Sequence, residues 1–118
     1  EIYTLSLHDA LPIFDLHKDL PILGYRIGPL AYITDANYLA PEEMDKLKGV
    51  NVLVINALRK EKHFSHYSLP EALEVIKTVN PGRAYVTHIS HEMGLHAEVE
   101  RTLPEGVFLA YDGLEVEI

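Results

Sequence analysis

Seven histidines and no cysteine stand among the 118 residues. Imidazole and carboxylate without thiolate is a donor set for a divalent cation, if one is bound. Three such residues fall at or beyond the ends of strand-like runs. Asp35 follows AYIT, His88 follows RAYVT, and His66 lies in the loop after NVLVINAL. Each also has an ordinary reading. Asp35 suits a turn or a helix cap, and His88 with His91 suits a polar loop. His63 reads as a solvated loop residue, His96 as a surface residue, and Asp112 as part of a turn. Tyr25, Tyr32 and Tyr85 read as packing residues. The pair His8-Asp9, with His17 close behind, invites a metal reading near the chain start. Spacing alone suggests a site without naming it.

The elements that must position these residues follow from pattern. GYRIGPLAYITDAN reads as two strands, Tyr25 to Ile27 and Ala31 to Thr34, around Gly28-Pro29. Pro41 opens a helix with Glu42 and Glu43 in its first turn, where carboxylates complement the dipole. Lys46 and Lys48 lie near its end and Gly49 stops it. The continuous apolar run from Asn51 to Leu58 suits a strand buried on both faces.

Ser68 with Glu71 forms a capping box, so a helix is expected from Leu69 to Val79, ended by Asn80-Pro81-Gly82. A strand from Arg83 to Thr87 follows, then a short amphipathic helix from Gly94 to Leu103, closed by Pro104. VFLAY and LEVEI flank Asp112-Gly113 as a terminal hairpin. The class is α/β with parallel crossovers. The helix after His66 runs out about 16 Å at ~1.5 Å per residue. The next strand returns a comparable distance at about 3.3 Å per residue. His66 and His88 are therefore expected at one sheet edge, the carboxyl edge where open α/β sheets bind ligands.

Composition narrows the partners. A hydrophobic content of 47% with 24% charged residues is that of a globular domain. A net charge of −8 argues against nucleic acid held by a basic surface. Absence of cysteine excludes a disulfide framework and fits a reducing, cytoplasmic setting. No apolar run approaches a membrane span, and the opening stretch lacks a signal peptide's pattern.

From His17 to Ile118 the sequence resembles the C-terminal half of a metallo-β-lactamase-fold hydrolase. His17 with LPILGYRIG, then AYITD, HYSLPEAL, YVTHISH and AYDGLEVEI carry the likeness by their order. It is most similar to the branch containing the cyclic-phosphate phosphodiesterase of phosphonate breakdown, and more distantly to ribonuclease Z. The resemblance implies half of an αββα sandwich: a mixed sheet with helices on one face and a terminal β-hairpin. It implies two divalent metal ions, zinc or manganese. His17, Asp35 and His88 would be ligands, with His66 as the acid near the scissile phosphate. The implied substrate is a small phosphodiester of the cyclic-phosphate type. A thioester or lactone on the same metal core is the alternative, and a non-catalytic half-domain is another.

The family's His-x-His-x-Asp-His motif has no counterpart here, and His8-Asp9-Ala10 does not reproduce it. An incomplete site and an inactive 118-residue chain are therefore expected, with an exposed sheet face able to meet a second copy. Residues 1–13, EIYTLSLHDALPI, resemble a translated short-read sequencing adapter. The expected division is a non-native segment over residues 1–13 and a partial domain over residues 14–118. His8 and Asp9 then carry no functional weight. Strand propensity at Ile2 to Leu5 would make any ordered structure there opportunistic.

Overall fold

A computed structural model describes residues 10–17, 20–34, 36, 38–61, 67–90 and 93–117. Among them, six strands form one sheet in chain order: β1 (Ala10–His17), β2 (Leu20–Ile27), β3 (Leu30–Ile33), β4 (Val52–Asn56), β5 (Arg83–Thr87) and β6 (Val107–Leu109). β1, β2 and β3 run antiparallel, and β3 to β6 run parallel. Three helices make the parallel crossovers: α1 (Pro41–Met44), α2 (Leu69–Val79) and α3 (His96–Glu100). Each strand is added on the same side of the last. Right-handed crossovers then place all three helices on one face.

β1 crosses the residue 13/14 boundary without a break. Ala10 pairs with Ile27 and His17 with Leu20. Ile13, from the adapter-like stretch, is fully buried in the core. Ile2 to Leu5, where strand propensity was noted, lie outside the described residues.

The core lies between sheet and helices. Ala31, Ile33, Leu53, Ile55, Ala84, Val86, Val107 and Leu109 face it, and α2 contributes Leu69, Ala72, Val75 and Ile76. β4 is closed in on both sides, with Val52, Leu53, Ile55 and Asn56 all buried. The continuous apolar run predicts this. On the opposite face the register aligns Tyr25, Tyr32, Val54, Tyr85 and Phe108 in one row across five strands. Tyr32 is 48% exposed there, and Tyr85 and Phe108 stack with ring centroids 5.5 Å apart. Opposite Ile13 sits Gly24, where an added Cβ would lie 2.9 Å from the Tyr32 carbonyl oxygen.

α2 follows its sequence signals closely. The Ser68 hydroxyl accepts from the Glu71 amide, and the Glu71 carboxylate accepts from the Ser68 amide. Asn80 ends the helix in the left-handed conformation, at φ 52°. α1 is shorter than the sequence suggests. It tightens to a 3-10 turn over Asp45–Leu47, and Gly49 follows at φ 78°. Arg26 donates to the carbonyls of Lys46 and Lys48 and so satisfies that end from β2. α3 is also trimmed. Gly94 stands at φ 109°, and i→i+3 bonds from Thr102 and Leu103 close the far end.

The terminal hairpin is a correction. Asp112-Gly113 does turn, with Gly113 at φ 86° and the Leu114 amide donating to the Tyr111 carbonyl. Residues 114–117 form no ladder with β6. They keep the alternation of half-buried Leu114 and Val116 with exposed Glu115 and Glu117. The carbonyl of Glu117 accepts from the Arg83 guanidinium. A side chain of β5 thus anchors the return segment where a strand backbone was expected.

Candidate functional site

β3, β4, β5 and β6 all end at one edge, because they run parallel. β1 runs antiparallel to β2, and β2 antiparallel to β3, so β1 ends there too. The carboxyl edge thereby collects His17 at the end of β1, Ala36 beyond β3, Asn56 at the end of β4 and His88 beyond β5. Asp35 and His66 lie outside the described residues, as do His8, His63 and His91. Of His17 only the backbone is described.

The sequence neighbours of these residues are tied together. The Tyr67 amide, next to His66, donates to the carbonyl of Ala36, next to Asp35, at 2.8 Å. The Tyr67 carbonyl accepts from the Leu58 amide at 3.0 Å. The Ala57 amide donates to the Thr87 carbonyl at 3.0 Å, and the Ser90 amide to the Leu58 carbonyl at 2.9 Å. These last two bonds bracket His88. The loops after β3, β4 and β5 are therefore laced by backbone bonds at one place.

His88 itself has φ 61°. Among the described residues only Asn80 shares a positive φ without being glycine, and Asn80 is a helix C-cap. No such cap explains His88. A non-glycine residue held there costs on the order of 1 kcal/mol, and such strain clusters where a side chain must be aimed. Beside it lies a cavity of about 320 Å³, lined by Thr87, His88, Ile89, Ala110, Tyr111 and Asp112. Asp112 thus lies beside the cavity as well as in its turn, which the turn signal in the sequence did not disclose. His96 is a surface residue, as its charged neighbours suggest. It sits 3.7 Å from the Glu100 carboxylate and edge-on to Tyr111.

Asn56, at the same edge, is a residue that motif reading missed. It is fully buried at the end of β4. Its side-chain oxygen accepts from the Ala36 amide at 3.0 Å, and its side-chain nitrogen donates to the Ala36 carbonyl at 2.8 Å. The signal was present in the sequence, as a polar residue closing the apolar run VLVI.

Two imidazoles and a carboxylate suit a divalent cation, and the nominated residues have the right types for one. Among the described residues no group of three or more His, Cys, Asp or Glu could hold a metal. Of the four nominated side chains, only that of His88 is described.

A mixed sheet with helices on one face and a histidine-bearing carboxyl edge is the architecture of a metallo-β-lactamase-fold unit. The chain belongs to the beta-lactamase superfamily: the family's domain matches residues 4–89. It is similar over 96% of its length to a diphosphatase of the PhnP family, with 36% identity and a TM-score of 0.90, covering 45% of that chain. The metallo-beta-lactamase fold protein YhfI from Bacillus subtilis matches at a TM-score of 0.75 and 17% identity, over 97% of this chain and 52% of its own, and supports the fold alone. An octanoyltransferase of Porphyromonas gingivalis (strain ATCC BAA-308 / W83) is 39% identical over 108 residues, 91% of this chain and 22% of that protein. The chain thus spans about half the length of these solved relatives and 22% of the octanoyltransferase. Among the described residues no helix is long and apolar enough to cross a membrane.

Proposed function

We propose that this chain supplies part of the active site of a metal-dependent phosphodiester hydrolase. His17, Asp35 and His88 would hold divalent cations, zinc or manganese, at the carboxyl edge of the sheet. The remaining ligands would come from sequence outside these 118 residues. Bound cations would acidify a water and neutralise charge on phosphoryl oxygens. His66, outside the ligand set, would give a proton to the leaving oxygen. His88 stands at φ 61°, between the backbone bonds Ala57 to Thr87 and Ser90 to Leu58.

The observation that carries this reading is the bond between Tyr67 and Ala36. It holds the neighbour of the proposed acid against the neighbour of the proposed carboxylate ligand. Likeness to a PhnP-family diphosphatase at 36% identity favours phosphorus over carbon as the reacting centre. The octanoyltransferase name favours the second reading, an acyl substrate such as a thioester on the same edge, although only 22% of that protein is matched.

Turnover by a longer protein carrying this chain separates the two. With manganese or zinc supplied, hydrolysis of bis-p-nitrophenyl phosphate is expected to exceed that of an acyl thioester. His66→Ala is expected to lower kcat about 100-fold, within the range for a lost general acid. Thioester turnover without phosphodiester turnover would reverse the assignment.

A further inference from the structure

Ala36 is a small loop residue with an unusually complete set of backbone bonds. Its amide donates to Asn56, and its carbonyl accepts from both Asn56 and Tyr67, each at 2.8 Å. Both Ala36 and Asn56 are fully buried. The orientation of the Asn56 amide is forced, because the Ala36 N–H can only donate and the carbonyl can only accept. A side chain at the end of β4 thus acts as a short strand, pairing with one residue of the loop after β3. Tyr67 completes the knot from the loop after β4. In a buried setting, losing one of these partners leaves a polar group unsatisfied, so the knot has one stable arrangement.

We infer that Asn56 is a positioning residue. It fixes Ala36, the chain neighbour of the proposed ligand Asp35, and by the shared carbonyl ties it to Tyr67, the chain neighbour of His66. The inference rests on the metal-site reading above. A structural asparagine with no such role would stabilise the sheet without affecting ligand placement. Residues that orient metal ligands characteristically change metal affinity 10- to 100-fold when lost.

The test compares a longer protein carrying this chain with its Asn56→Asp, Asn56→Ala and Val107→Ala variants. Asn56→Asp keeps the acceptor but loses the donor to Ala36. Asn56→Ala removes both and avoids setting a carboxylate against the Ala36 carbonyl, so it serves if Asn56→Asp does not fold. Val107 is buried at the opposite, amino edge of the sheet, and its truncation is a stability control. Two readouts are taken: Co²⁺ affinity from visible absorption, and hydrogen exchange of the Ala36 and Tyr67 amides without metal.

Loss of the Asn56 amide is expected to speed exchange at both amides and to weaken Co²⁺ binding about tenfold. Val107→Ala is expected to lower the melting temperature with Co²⁺ affinity unchanged. Unchanged Co²⁺ affinity in both Asn56 variants would overturn the positioning role and leave the metal site standing. No Co²⁺ binding by the unsubstituted longer protein would overturn the metal-site reading. In that case the exchange rates still show whether Asn56 holds Ala36 and Tyr67 together, and unchanged exchange would remove the positioning role as well.

Discussion

His88 carries two demands, a backbone at φ 61° and a side chain beside the 320 Å³ cavity. The demands separate by substitution. Glycine relaxes the left-handed backbone, and alanine keeps the strain while removing the imidazole. His88→Gly is expected to be more stable than His88→Ala by about 1 kcal/mol, read from urea unfolding. Equal stabilities would mean that the turn is not strained. Sequence reading placed His88 after β5 because Arg83 to Thr87 has clear strand composition. Its dihedral was hidden, since nothing about Thr-His-Ile announces a left-handed residue. Asn56 was hidden for another reason. Its partner Ala36 is twenty residues earlier, and no local pattern encodes a side chain that pairs across two loops.

Elements defined by local chemistry were the readable ones. The Ser68–Glu71 box and Asn80 define α2 from Leu69 to Val79, because caps act within four residues of chain. Ser68→Ala is expected to cost about 1 kcal/mol, measured as a lowered urea midpoint with an unchanged slope. An unchanged midpoint would mean that the box contributes nothing. The strands were readable where composition is unbroken, as in β4 and β5. α1, α3 and the terminal hairpin were less so. Arg26 ends the first from another strand, Gly94 and i→i+3 bonds trim the second, and Arg83 captures the return segment of the third. Each of these depends on a neighbour or a dihedral that the local sequence does not display.

At the scale of the whole molecule, sheet direction does most of the functional organisation. Four parallel strands and β1 all end at one edge, so residues distant in sequence arrive together. The family and this edge were legible from ordered short motifs. Asp35 and His66 lie outside the described residues, and their described neighbours, Ala36 and Tyr67, are hydrogen-bonded to each other. Tyr25, Tyr32 and Phe108 are exposed on the sheet face opposite the helices.

The central claim is the proposal that His17, Asp35 and His88 hold divalent cations at that edge, with His66 beside them. Mn²⁺-induced broadening of amide signals tests it most directly, because paramagnetic relaxation falls steeply with distance. With substoichiometric Mn²⁺ added to a longer protein carrying this chain, the amides of His17, Ala36, Tyr67 and His88 are expected to broaden first and together. Broadening that begins instead at the acidic surface around Asp45 or Glu115 to Glu117, with those four amides sharp, would contradict the account.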